Sequence, residues 1–142
     1  MSFASKTPVM SGSTPAIYPA GSEVVVQRAQ ITAVTPDVAL NNVGAFLTLP
    51  AGCVPVGVHV DAAASVSADV GIVNDAETAI STATIDGGAA WMSAYAANGN
   101  NMAFSKAMAL VQPAQVDRKV GIKVTTAGTA GVVGMTMAYR SA

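Results

Sequence analysis

The chain has 142 residues, a formal net charge of −1 and 11% charged residues, against roughly 25% in ordinary soluble domains. This length predicts a single domain that can bury a sizeable core. The seven Lys and Arg residues are scattered along the chain and balanced by eight acidic ones. That distribution excludes a basic stripe for nucleic acid, and no apolar run is long enough to predict a membrane span.

Hydrophobic residue types make up 51% of the chain, and much of this fraction is Ala and Val. A free monomer usually keeps more charge on its surface for solubility. The composition therefore predicts that other subunits cover a large part of the surface. The single cysteine excludes an intrachain disulfide and implies no redox compartment. Because the sequence shows neither a secretory signal nor a membrane span, the protein is expected to be made in a cytoplasm.

Residues 1–22 are rich in Pro, Ser, Thr and Gly, which predicts an extended, irregular N-terminal arm that cannot form a helix. The arm lacks a basic stretch followed by an apolar one, so it is not predicted to be a secretory signal. Two interpretations are open: a disordered terminus, or an arm that orders against a neighbouring subunit. The apolar residues of the arm favour the second, and they include Phe3, Val9, Met10, Ile17 and Tyr18.

Residues 23–142 alternate short β-rich stretches with turns, which predicts one β domain. Strands are predicted at 23–34, 42–50, 53–61, 65–73 and 80–85, and as a closing hairpin over 120–139. Turns are predicted at Pro36-Asp37, at 50–52, at 86–88 and at 125–131. The hairpin is expected to direct Val120, Ile122, Val124, Val133, Met135, Met137 and Tyr139 inward.

The stretch 53–61 has the most regular alternation, with Val54, Val56, Val58 and Val60 predicted on one face. Pro55 lacks a backbone N–H, so this strand is predicted at a sheet edge or with a bulge.

Residues 89–112 are ambiguous, because Trp91 and Tyr95 have helical spacing while Asn98 to Asn101 would break a helix. The β-rich context favours loop and strand with at most one helical turn. The predicted fold class is therefore all-β, an antiparallel β-sandwich or barrel with an extended N-terminal arm.

Candidate catalytic residues are few. Cys53 is the one cysteine of the sequence and His59 the one histidine. They lie six residues apart on one predicted strand, roughly 20 Å, which is too far for a thiolate dyad. One Cys and one His are also too few for a zinc site, and no calcium loop motif is present. The glycines of "GTAGVVG" (Gly128–Gly134) open a strand rather than a helix, so they predict no phosphate site. Neither a catalytic residue nor a cofactor or metal is predicted.

Two stretches resemble small virion proteins of tailed bacteriophages. They are "LTLPAGCVPVGVHVDAAASVSADVGIV" (Leu47–Val73) and "VGIKVTTAGTAGVVGMTMAYRS" (Val120–Ser141). The resemblance covers about half of the chain and implies a capsid decoration, or cement, protein on the outside of the phage head. It further implies the major capsid protein and other copies of the chain, as a homotrimer, for partners. Such a protein stabilises the assembled shell by binding it, and many copies act with avidity.

Two function classes remain open. The first is this virion structural protein, whose candidate interface residues are Phe3, Met10, Ile17, Tyr18, Trp91 and Tyr95. The second is a small ligand- or carbohydrate-binding β-sandwich, such as a head fibre, tail or receptor-binding component, whose site would use Trp91, Tyr95 and turn residues such as Asp86 and Asn98. Trp and Tyr are enriched both as core plugs and as interface anchors, so the pair also fits a purely structural role.

Overall fold

The computed structural model describes residues 2–21, 23–62, 66–97 and 102–142. Its strands are β1 (Val24–Ala33), β2 (Val43–Leu49), β3 (Cys53–Ala62), β4 (Ser67–Val73), β5 (Met92–Ala96), β6 (Arg118–Thr126) and β7 (Gly131–Ser141). Two four-residue helices, α1 (Pro8–Ser11) and α2 (Lys106–Ala109), and a 3-10 turn (Thr84–Asp86) complete the elements. The predicted all-β class is confirmed.

Two antiparallel sheets pack face to face. The three-stranded sheet has the order β1-β7-β3, and the four-stranded sheet has the order β2-β6-β4-β5. The core lies between them and contains the largest fully buried side chains, including Phe46, Leu47, Ile122, Met135 and Met137. Sheet-on-sheet packing of this kind buries alternate residues of every strand, which matches the period of two in the sequence.

The predicted closing hairpin is wrong. β6 and β7 follow each other in the chain, but β6 pairs with β2 and β4 while β7 pairs with β1 and β3. Residues 127–130 therefore carry the chain from one sheet to the other. The predicted inward side chains of both strands are nevertheless buried, because a crossover and a hairpin place the same alternate residues toward the core.

β3 lies at an edge of its sheet, and its register shifts between Pro55 and Gly57. Both features are expected for a strand that contains Pro55. The bulge also corrects the predicted valine face: Val58 and Val60 are buried, but Val54 is half-buried and Val56 is exposed. One extra residue in a strand exchanges its two faces, so the valines before the bulge lie on the opposite side from those after it.

The strand predicted at 80–85 does not form. The described part of 89–112 has the loop, strand and single helical turn that were predicted. Ile80 forms an isolated bridge with Val73, and the strand expected there is replaced by a loop that ends in the 3-10 turn. The stretch 89–112 contains β5 and the single turn α2. Residues 98–101, predicted to interrupt any helix, lie outside the described residues. Among the residues that are described, no helix is long and apolar enough to cross a membrane.

Candidate interaction surfaces

The first part of the N-terminal arm adds to the free edge of β2. The Phe3 N–H donates to the Val43 carbonyl at 2.9 Å, and the Thr7 hydroxyl donates to the Phe46 carbonyl at 2.7 Å. Both carbonyls belong to an edge strand, whose unpaired backbone groups would otherwise need water. The arm therefore seals this edge of the sandwich within its own chain.

The arm also contains a helical turn, contrary to prediction. Thr7 adopts an extended conformation and its hydroxyl accepts from the Met10 N–H, which makes it the N-cap of α1. Pro8 occupies the first turn, where its missing N–H costs nothing. The proline that argued against a helix is thus the residue with which the helix begins.

Phe3 is buried in a slot above β2. Its ring lies against Gly44, where a Cβ atom would come within 2.6 Å of the ring carbons. It also meets the ring of Phe46 edge to face at 6.1 Å between centroids. Such aromatic pairs are favourable beyond the area they bury. The absent side chain of Gly44 is what makes room for Phe3.

Asp37 fixes the arm from the other side. The residue is 1% exposed, and its carboxylate accepts from the Ala4 N–H, from the Ser5 N–H and hydroxyl, and from the Val34 N–H. Burial by itself would raise the pKa of Asp37, but these hydrogen bonds outweigh burial and lower it. The charged carboxylate therefore stabilises the docked arm.

The second part of the arm runs to the end of the sandwich where β3 and β6 begin. The Tyr139 hydroxyl donates to the Ile17 carbonyl, and the Tyr18 hydroxyl donates to Asp117 at 2.6 Å. Burial raises the pKa of Tyr139 to about 12, and the hydrogen bond to Asp117 raises the pKa of Tyr18. The side chains of Ile17 and Tyr18 nevertheless remain about half exposed, at 47% and 56%.

The structure separates the predicted interface residues into three groups. Phe3 and Trp91 are each 2% exposed and lie in the core, so in this conformation neither offers a surface to a partner. Met10 and Tyr95 are half-buried. Ile17 and Tyr18 are exposed.

Two of these aromatic residues make polar contacts within the chain. The indole N–H of Trp91 donates to the Asp86 carbonyl at 3.0 Å. The Tyr95 hydroxyl lies 3.3 Å from Nδ1 of His59, so it bridges the edges of the two sheets. Buried Trp and Tyr usually find such partners.

Sequence patterning missed a buried ion pair at the start of β6. Arg118 and Asp86 lie 3.0 Å apart and are both less than 10% exposed. Arg118 also donates to the carbonyls of Ile85, Cys53 and Gln112, so one guanidinium joins the 3-10 turn, the start of β3 and the loop after α2. The two residues are far apart in sequence, and no local pattern marks them as partners. Their role is to order the loops at this end of the sandwich.

The geometry offers little for catalysis. Burial, followed by the nearby Asp117, raises the pKa of the Cys53 thiol, which reduces its thiolate fraction. Within the described ranges no group of three or more His, Cys, Asp or Glu side chains is placed to hold a metal ion.

The outward faces of the two sheets differ. On the four-stranded sheet a loop lies over part of the outer face, where the Ile80 side chain packs on Gly71 and Glu77 pairs with Lys119. Val43, Ala45 and Val73 are buried on this face. On the three-stranded sheet the outer face is open, and Val24 and Val26 are 52% and 58% exposed.

One half of this open face is apolar. Val26 is next to Ala138 and Gly57 in the pairing register, and a Cβ atom added to Gly57 would lie 3.5 Å from the side chain of Met102. Phe104 lines a shallow groove with Val54 and Arg140. We call this surface the outer apolar patch, formed by Val24, Val26, Val56, Met102 and Phe104 around Arg140. The other half carries the Arg28–Asp61 ion pair at 2.7 Å.

A second exposed apolar surface lies at the end of the sandwich. We call it the end patch, formed by Ile17, Tyr18 and Val116 beside Asp117. Val116 is 66% exposed. Asp117 is held in place because it also accepts from the Ala51 N–H at 2.8 Å.

Comparison with known proteins gives one structural likeness. No family model matches the chain, and no curated protein matches it. A chain of a solved structure titled "Capsid of Ralstonia phage GP4" is similar, with a TM-score of 0.69 and 24% identity over 92% of this chain and 93% of that chain. At this identity the likeness establishes a shared fold over nearly the whole of both chains.

Proposed function

We propose that the chain is a structural, non-enzymatic protein of a phage virion, and that it is a head decoration (cement) protein that binds and stabilises the assembled capsid. The observation that carries the proposal is the fold shared end to end with a chain of the capsid of Ralstonia phage GP4. The resemblance of Leu47–Val73 and Val120–Ser141 to small virion proteins of tailed phages supports it independently. Its partners would be the major capsid protein and other copies of the chain, as a homotrimer on the capsid surface.

The surface supports an assembled rather than a solitary protein. Large hydrophobic side chains are exposed on the open sheet face, in the arm, and on the loops around residues 85, 110 and 116. Where such side chains gather, as in the outer apolar patch, a partner surface is the usual explanation. With 11% charged residues, there is little charge to keep such surfaces apart in solution.

A cement protein stabilises a shell by linkage, because it binds the assembled state and not the separate subunits. Each contact can be modest when many copies bind one particle, since the copies act together. Neither requirement calls for an active site. Both call for a rigid body with fixed outer surfaces, which the sealed β2 edge and the Arg118–Asp86 pair provide.

The alternative, a carbohydrate-binding sandwich, relied on Trp91 and Tyr95. Trp91 is in the core and its indole N–H is already bonded, so it cannot stack on a sugar. That alternative is left without its main binding residue.

The proposal is tested by adding purified chain to capsids stripped of it and measuring occupancy and resistance to heat. We expect saturable binding and a higher temperature of capsid disruption. Capsids that still carry their native complement are the control and should take up no more. Absence of binding to stripped capsids would contradict the proposal.

A further inference from the structure

We propose that two copies of this chain bind each other through different surfaces, the outer apolar patch of one copy against the end patch of the next, with Arg140 facing Asp117. This inference rests on the proposed function, which calls for contacts between copies, and it names the surfaces that make them.

The two sheets differ in how far their outer faces are covered. A loop of the chain lies over part of the outer face of the four-stranded sheet, whereas the outer face of the three-stranded sheet leaves Val24 and Val26 exposed. On that face Val24 and Val26 lie on β1, and Val56, Met102 and Phe104 lie on the other side of the central strand, beyond Ala138 and Arg140. Exposed apolar side chains gathered on one sheet face are typical of an interface.

Charge also distinguishes this face. Arg140 lies between Val24 and Val54 in the pairing register, and among the described residues its guanidinium donates only to the neighbouring Ser141 carbonyl. No carboxylate lies within ion-pair distance of it in the described part of the chain, whereas Lys6, Arg28, Arg118 and Lys119 each have one. A cation in an apolar patch favours a partner that brings a carboxylate together with apolar side chains.

The chain itself carries a surface of this kind. In the end patch Asp117 lies beside Val116 and Tyr18, and no Lys or Arg of the described residues pairs with it. The Ala51 N–H and the Tyr18 hydroxyl fix the position of its carboxylate. The end patch therefore complements the outer apolar patch in both charge and hydrophobicity, and a second copy of the chain is the occupant that fits.

A contact between two different surfaces can close into a ring of copies, and it can also be made twice across a two-fold axis. Both arrangements bring Arg140 of one copy to Asp117 of another. An experiment on this pair therefore tests the contact for any number of copies.

The contact is tested by sedimentation velocity of the full chain over a range of concentrations. We expect the wild type to self-associate, and Arg140→Asp or Asp117→Arg to weaken association roughly ten-fold or more. The double variant Arg140→Asp/Asp117→Arg restores the opposite charges and should recover most of the affinity. Thermal unfolding of each variant shows whether it is folded.

A second pair of variants leaves Asp117 unchanged, so its hydrogen bonds with the Ala51 N–H and the Tyr18 hydroxyl are kept. Val26→Glu places a carboxylate inside the outer apolar patch and should abolish association. Thr32→Glu makes a comparable charge change on the same face of β1, outside the patch, and should leave association unchanged. A monomeric wild type, equal effects of Val26→Glu and Thr32→Glu, or a folded double variant no better than the single ones would each overturn the inference.

Failure of this contact can be distinguished from failure of the proposed function. A monomeric chain that still loads onto stripped capsids would overturn this contact and leave the decoration role standing. A chain that self-associates but does not load onto stripped capsids would overturn the decoration role and leave this contact standing.

Discussion

At the scale of single residues, the fold depends on a strand glycine whose missing side chain makes room for an aromatic ring. Gly44 has no side chain, and the ring of Phe3 occupies the space where a Cβ atom would lie. Strand glycines of this type mark close approach of another group. The sequence shows a glycine in a strand, but it cannot show that a residue 41 positions earlier fills the gap.

Gly44→Ala should destabilise the protein by about 1–3 kcal/mol, because the new methyl group must displace a buried ring. Gly57→Ala is the matched control: it is also a strand glycine, but its added Cβ would meet Met102 at an ordinary 3.5 Å. Urea unfolding measures both. If Gly44→Ala costs no more than Gly57→Ala, Phe3 does not occupy this slot in solution.

Asp86→Ala should cost about 3–5 kcal/mol, because it leaves the buried guanidinium of Arg118 without its carboxylate. Exchange of the whole pair, as Asp86→Leu with Arg118→Met, should cost less than Asp86→Ala alone, since no unpaired charge stays buried. Chemical denaturation gives the free energy of unfolding of the wild type, of Asp86→Ala and of the double variant. Equal losses would mean that the ion pair is not desolvated.

At the scale of elements, alternation predicts strands well and their partners poorly. The inward residues of β6 and β7 are as expected, yet the two strands belong to different sheets. A period of two says which side of a strand faces the core, and it carries no information about which strand lies alongside. For the same reason the sequence does not predict the exchange of faces along β3 or the contact of the arm with β2. Both depend on contacts between residues that are distant in sequence.

The arm is an integral element of the sandwich, so its removal should affect the fold as well as assembly. Phe3→Ala should cost about 3–5 kcal/mol, as other large-to-small core changes do. Ile17→Ala, in the exposed part of the same arm, should change the stability of the monomer little. Thermal unfolding at low protein concentration compares the two. A Phe3→Ala protein as stable as the wild type would show that the arm is a free tether.

The docked arm should loosen in acid. The folded pKa of Asp37 is below its unfolded value, so its contribution to stability is present above that value and is lost as pH falls through the folded pKa. The pKa of Glu77 is lowered too, because its ion pairs with Lys6 and Lys119 outweigh its burial. Asp37→Asn should therefore lower stability at neutral pH and reduce, without abolishing, the loss between about pH 5 and pH 2. Unfolding measured across this range would refute the assignment if both proteins lost stability in parallel.

At the scale of the whole molecule, composition is the signal that bears on assembly. Few charges and many small apolar residues predicted a surface shared with other subunits, and the fold leaves large apolar side chains exposed on several sides. Aromatic residues are expected as interface anchors because these types are enriched there. Phe3 and Trp91 are buried in the core, whereas exposed valines and Arg140, which residue type and strand pattern did not single out at the start, lie on the surface.

The central claim is that the chain is a structural protein of the virion, present in many copies on the capsid. Quantitative mass spectrometry of purified particles, from the phage whose genome encodes the chain, tests it most directly. We expect the chain at a copy number of the same order as the major capsid protein, and we expect its loss from particles to lower their resistance to heat. Particles that lack the chain, or hold only a few copies of it, would contradict the account.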